Sequence, residues 1–193
     1  MVKVFQASEV SFAEWSRPFP QKHLDLGTGD GMFVTRLARR EKEVGVVGID
    51  TCLDHLRGAF RNYPENSRFV RCDARELPVE FASEFSRVSI NFPYGSLLES
   101  ICDGDSALRE EIQRVTLDQA QLEIVINESA LNGLGLELAQ GRILLEQFGN
   151  GLDGFRGIVS EMTATELRAF PSSWSRKLGY GRQPRAAQLI ARK

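Results

Sequence analysis

Residues 27–31 read Gly27-Thr28-Gly29-Asp30-Gly31, between a short strand expected at 22–26 and a segment where Phe33 and Leu37, Val34 and Ala38 recur at helical spacing. Three glycines in five residues at a strand-to-helix junction allow backbone conformations and close approaches that a side chain would forbid. The helix that follows directs its unpaired N–H groups at whatever rests on the turn. This combination points to an α/β architecture, in which ligands bind beyond the carboxyl ends of parallel strands.

The rest of the chain continues the alternation. A capping box, Ser11 with Glu14, predicts a short helix before Pro18 within a lead-in segment, residues 1–21. Strands are expected at 44–49, 68–72, 88–91, 122–126, 155–162 and 187–191. Helices are expected around Leu53, Leu56 and Phe60, from a box at Ser96/Glu99, around Leu108, Ile112 and Val115, and from a box at Thr163/Glu166 up to Pro171. Residues 131–148 are leucine-rich and helical in parts, with Gly133, Gly135 and Gly141 counting against one unbroken helix. The expected fold is a seven-stranded, mostly parallel, Rossmann-like sheet flanked by helices. The length of 193 residues suits a single domain.

The turn also discriminates between ligands. A dinucleotide fingerprint, G-x-G-x-x-G, would need glycine where Met32 stands. Asp30 would repel a pyrophosphate but can face a cation, such as the ammonium and sulfonium groups of S-adenosylmethionine (SAM). Asp50, at the end of the second main strand, stands where an acid accepts hydrogen bonds from ribose hydroxyls. Asp73 and Ala74, ending the third, can bracket an adenine ring. Cys52, Cys72 and Cys102 are widely spaced and form no metal-ligand pattern with His23 or His55, so reduced thiols and no metal are expected. The first residues lack the apolar core of a signal peptide, and no apolar run approaches the ~20 residues of a membrane span. A cytoplasmic protein that binds no membrane is expected.

Charge is segregated along the chain. Acids slightly outnumber bases, 26 to 24, yet residues 168–193 hold seven cations (Arg168, Arg176, Lys177, Arg182, Arg185, Arg192, Lys193) and no acid. Within SSWSRKLGYGRQPR, residues 172–185, glycines and aromatics accompany these cations, a composition suited to contacting phosphates. After the fourth strand, SINFPYGSLLE (89–99) occupies the position where substrate meets a bound cofactor. There Tyr94 can present an aromatic face to a planar substrate, with Pro93 fixing the loop, and Trp174 in the basic segment is the natural opposite face.

From DLGTGDG at 25–31 through the fourth strand, the chain resembles the class I SAM-dependent methyltransferases. That resemblance implies that Gly27 and Asp30 border the methionine moiety and Asp50 the ribose, and that Asp25, Thr28 and Gly29 also bind the cofactor. It puts Asp73, Ala74 and Arg75 at the adenine, and counts Asn91, Phe92 and Ser96 among the cofactor-binding residues. Two further regions narrow the likeness to the 16S rRNA (adenine(1408)-N1)-methyltransferases that confer aminoglycoside resistance. Their fourth-strand motif, FPWG[ST]LL, is matched by Phe92-Pro93-Tyr94-Gly95-Ser96-Leu97-Leu98. Their tail motif, SxWxxRL…GR, is matched by Ser172, Trp174, Lys177, Leu178, Gly181 and Arg182.

The narrower likeness implies that Tyr94 and Trp174, with Pro93, form a catalytic sandwich around a flipped adenine, and that Ser172 and Ser173 border SAM. Arg176, Lys177, Arg182 and Arg185 are then expected to bind 16S rRNA of the small ribosomal subunit, with the protein a monomer. Tyr94 stands where the family has tryptophan, a smaller stacking face. Asn91 makes the motif Asn-Phe-Pro-Tyr, close to the Asn-Pro-Pro-Tyr of adenine-N6 methyltransferases, which is the second enzyme reading. A small-molecule methyltransferase, a non-catalytic SAM- or RNA-binding protein and a dinucleotide oxidoreductase are the other classes weighed.

Overall fold

The computed structural model describes residues 3–4, 10–57, 63–171 and 185–193. Eight strands form one sheet: β1 (Lys3–Val4), β2 (Gln21–Leu26), β3 (Val44–Asp50), β4 (Ser67–Arg71), β5 (Phe85–Asn91), β6 (Thr116–Asn127), β7 (Arg156–Glu161) and β8 (Ala186–Arg192). Their spatial order is β1-β4-β3-β2-β5-β6-β8-β7. The five strands from β4 to β6 in that order are mutually parallel, and β8 runs antiparallel between β6 and β7. All seven expected strands are present. The eighth is a two-residue edge strand from the lead-in, antiparallel to β4, too short to leave a periodicity in the sequence.

Among the described residues, eight α-helices accompany the sheet: α1 (Phe12–Ser16), α2 (Met32–Arg40), α3 (Leu53–Leu56), α4 (Ser96–Cys102), α5 (Ser106–Val115), α6 (Glu128–Gly133), α7 (Leu138–Asn150) and α8 (Ala164–Ala169). The boxes at Ser11/Glu14 and Thr163/Glu166 form as expected. The box at Ser96/Glu99 does not: Gly95 is the cap, at φ +59° and ψ −136°, and Ser96 is the first helical residue. The leucine-rich stretch splits after Gly133 into α6 and α7, while Gly141 remains inside α7.

A large core lies on the sheet face covered by α1, α4, α5 and α7, where Leu24, Leu26, Ile49, Phe81, Phe85, Leu122 and Phe148 are buried. A fully buried side chain of this kind contributes roughly 1.5–3 kcal/mol, so this face carries most of the stability. A smaller cluster, including Val34, Leu37, Val46 and Phe69, seats α2 on the other face. There the Asn66 amide donates to the carbonyls of Ala38, Glu41 and Val44 at 2.8–3.0 Å, tying the end of α2 to β3. The chain order reverses between β2 and β5, and that switch point opens the crevice in which α/β sheets bind ligands.

Candidate functional site

The turn after β2 closes tightly. Gly27 has φ +73°, and a Cβ there would lie 2.6 Å from Leu97 Cδ2, so both the backbone and the close approach require glycine. The Gly29 N–H donates to Asp50 Oδ2 at 2.9 Å, drawing the turn onto the end of β3. Asp50 Oδ1 accepts from the Cys52 N–H at 2.8 Å and lies 3.4 Å from His55 Nδ1. Asp30 is exposed, and its Oδ1 accepts from the Met32 N–H at 3.1 Å, engaging the start of α2.

Two hollows open along this edge of the sheet and share Gly27, Asp50 and Leu97. The larger, of about 310 Å³, is bordered by Asp25, Thr28, Asp30, Phe33, Asn91 and Tyr94 among others. The smaller, of about 80 Å³, is bordered by Thr51, Cys72, Asp73, Ala74, Arg75 and Ser96 among others. Arg75 clamps Asp73 with two side-chain hydrogen bonds, Nε to Oδ1 at 3.0 Å and Nη2 to Oδ2 at 2.8 Å, which hold that carboxyl below its usual range. Burial pushes the Cys72 thiol up to about 12, so it stays protonated.

Beneath the larger hollow, β2 and β5 carry a buried polar chain. Register sets Asp25 beside Ser89, and the two-residue strand period brings His23 and Asn91 onto the same face. The Ser89 hydroxyl donates to Asp25 Oδ1 at 2.7 Å, and the Asn91 amide donates to the same oxygen at 2.8 Å. His23 Nε2 lies 2.8 Å from Ser89 Oγ. Burial raises Asp25 to about 7, with Asp50 adding to the rise and hydrogen bonds opposing it. Burial, aided by Arg87, lowers His23 to about 3 and keeps it neutral.

The segment after β5 is contorted. Phe92 adopts φ +53° and Gly95 a conformation open essentially to glycine alone. Phe92 is buried among Val125, Leu167 and Ala186, and its ring meets Phe170 edge-on at 5.2 Å. With Phe92 anchored, Tyr94 stands 75% exposed at the rim.

The family model for 16S rRNA (adenine(1408)-N(1))-methyltransferase, NpmA, matches residues 2–193. The chain belongs to this methyltransferase family. Members are SAM-dependent enzymes, so the cofactor and the methyl transfer expected from the sequence are those of the family. A 16S rRNA (adenine(1408)-N(1))-methyltransferase of Escherichia coli is 28% identical, over 94% of this chain and 91% of that protein. A solved antibiotic-related methyltransferase is 26% identical with a TM-score of 0.81, covering 99% of this chain and 98% of that one. A W203A mutant of the 16S rRNA (adenine(1408)-N(1))-methyltransferase of Catenulisporales acidiphilia, solved with its cosubstrate SAM, shares the fold at 23% identity. Its TM-score is 0.75, with 96% and 92% covered.

Of the family-motif residues, Asp25, Gly27, Thr28, Gly29, Asp30, Asp50, Asn91, Phe92, Pro93 and Tyr94 all border the larger hollow. Asp73, Ala74, Arg75 and Ser96 border the smaller. Ser172, Ser173, Trp174, Arg176, Lys177 and Arg182 lie outside the described residues. Arg185 is described and already paired, with Glu128 at 3.0 Å and Glu161 at 3.5 Å. Among the described residues there is no cluster of three metal-ligand side chains, and no helix is long and apolar enough to cross a membrane. Sequence reasoning missed Phe33, which stacks on Phe170 at 6.1 Å and 17°, and the wall formed by Leu97. It also missed His23 and Ser89. Alternation along 22–26 and 88–91 would have exposed the shared face of each strand, but not the register between them.

Proposed function

We propose that the chain methylates N1 of adenine 1408 in 16S rRNA of the small ribosomal subunit and so confers aminoglycoside resistance, with SAM held along the two hollows. The observation that carries this reading is the pairing of an acid-lined, glycine-walled cleft with an exposed aromatic, Tyr94, fixed at its rim. The residues fit the cofactor. Gly27 borders both hollows without a side chain to obstruct them, and Asn91 Oδ1, at the larger hollow, is a buried acceptor without a partner among the described residues, suited to an ammonium N–H. Asp25, Thr28, Gly29, Asp30 and Asn91 would hold the methionine end, Asp50 the ribose, and Ala74 with the Asp73–Arg75 pair the adenine. Phe92 and Ser96 form the edges of that cleft. SAM, when bound, supplies an electrophilic methyl carbon on its sulfonium.

The protein's own task is positioning. Adenine N1 has an in-plane lone pair that is unprotonated at neutral pH, so the site needs no general base. N1 lies on the Watson–Crick edge, and the base must leave its stack at a cost of a few kcal/mol. Stacking on Tyr94 from one side and Trp174 from the other offsets this by roughly 1–3 kcal/mol per base. The same faces stabilise the positive charge that develops on the ring, by about 0.5–2 kcal/mol. Pro93 and the anchored Phe92 keep Tyr94 in place. Chain connectivity favours the pairing with the basic segment: Phe170, two residues before Ser172 in the sequence, packs on Phe33 and Phe92, which border the larger hollow. Arg176, Lys177 and Arg182 then grip phosphates, whereas Arg185, held by two carboxylates, serves that grip only if those pairs open.

Tyr94→Ala and Trp174→Ala are each expected to lower methyl transfer to small subunits at least tenfold while SAM affinity, measured by calorimetry, stays within about twofold. Tyr94→Trp is expected to retain or raise transfer. Equal loss of transfer and SAM binding in the alanine variants would assign these rings to the fold.

A further inference from the structure

The polar chain under the cofactor cleft has a direction. Ser89 Oγ donates its hydrogen to Asp25 Oδ1, so it meets His23 Nε2 as an acceptor, and Nε2 must carry the ring proton. His23 Nδ1, buried and without a partner among the described residues, is then a bare acceptor. The opposite tautomer would bury an unpaired N–H and turn the Ser89 hydroxyl away from Asp25, a costlier arrangement on both counts.

We propose that His23 and Ser89 are positioning residues for the cofactor site: the chain from His23 Nε2 through the Ser89 hydroxyl to Asp25 Oδ1 favours the ionised form of Asp25 and orients it for the ammonium of the methionine moiety. This rests on the reading of the cleft as the SAM site. Neither residue touches the ligand; both act through Asp25.

The chemistry follows from burial. Asp25 is 1% exposed, and a carboxylate at such a position survives only if hydrogen-bond donors face it. Two donors reach Oδ1, and Asn91, at the rim of the hollow, also faces the ligand. Ser89, fully buried, has only the internal role. The charged groups around the chain are Asp50 on β3, which opposes ionisation of Asp25, and Arg87 on β5 with Glu41 and Arg40 at the end of α2, which surround His23. With Asp25 raised to about 7 in the free protein, a cationic ligand draws a proton off it on binding. Affinity then rises with pH up to the carboxyl's pKa and levels off above it. Removing the Ser89 hydroxyl withdraws a hydrogen bond to the ionised form, so the pKa and the plateau both move to higher pH.

The test is calorimetric binding of S-adenosylhomocysteine, which keeps the ammonium, between pH 6 and 8.5. Wild type, Ser89→Ala, His23→Leu and His23→Gln are compared, together with carbon-13 NMR titration of the Asp25 carboxyl in the ligand-free proteins. Ser89→Ala is expected to bind several-fold to tenfold more weakly at pH 7, to recover most of that loss by pH 8.5, and to titrate Asp25 at higher pH. His23→Leu should shift the same way by less, with His23→Gln nearer wild type. A pH-independent loss, or an unmoved Asp25 titration, would overturn the proposal while leaving the cofactor reading intact. Absence of binding by wild type would overturn both. Nitrogen-15 shifts of His23 in the unmutated protein give a check that needs no variant: an Nδ1–H tautomer contradicts the chain as drawn.

Discussion

At Asp25 and His23, two residues apart on β2, burial acts in opposite directions, raising the acid to about 7 and lowering the imidazole to about 3. In the unfolded chain they titrate near 3.8 and 6.5. Between those two values each state carries one proton on the pair, the folded protein on Asp25 and the unfolded chain on His23, so their effects on stability cancel. Asp25→Asn removes the compensation. Above pH 7 the variant no longer buries a carboxylate and is expected to be more stable than wild type by roughly 1–3 kcal/mol. His23, whose folded pKa is lowered, contributes stability that is present above 6.5 and lost as pH falls towards 3. The variant's advantage should therefore shrink below pH 7, at about 1.4 kcal/mol per pH unit. Urea unfolding at pH 8 and pH 5 checks this, and a constant difference between the two would show that the pair does not titrate as described. The same substitution is expected to weaken SAM binding, a trade of stability for function at one position.

The turn from β5 into α4 is the element on which the proposed substrate handling would depend. Phe92 holds a left-handed conformation because its ring is locked among Val125, Leu167, Ala186 and Phe170, and Gly95 takes a backbone geometry that a side chain resists. Gly95→Ala is expected to cost about 1–3 kcal/mol of stability and, by re-aiming Tyr94, to lower methyl transfer more than SAM affinity. A thermal melt with transfer and binding assays on one preparation separates these effects, and an unchanged transfer rate would remove Tyr94's aim from the account. Strands and helices here were legible in the sequence because local periodicity and turn residues carry them. The cap at Gly95 was not, since Ser96 and Glu99 offer the same pattern whether Ser96 caps the helix or begins it. His23 and Ser89 escaped for a different reason. Their meeting depends on the register of strands more than sixty residues apart, which alternation within either strand leaves open. The glycine turn and strand-end acids were readable as a candidate site, and they do border the two hollows, because successive βα junctions converge on one edge of a parallel sheet.

Across the whole molecule, charge is divided between an acidic body and a cationic C-terminal stretch, with all seven cations of residues 168–193 falling after the last acid, Glu166. An rRNA partner would be attracted by the cationic stretch and repelled by the net-acidic remainder. The most direct measurement incubates the purified protein with small ribosomal subunits and labelled SAM, then maps the product by reverse transcription, which a methyl group on N1 blocks. Label in 16S rRNA and one new stop at adenine 1408, absent without SAM, are expected. Label without that stop would mean methylation at another atom, such as N6, and would contradict the assignment of N1 as the attacking atom.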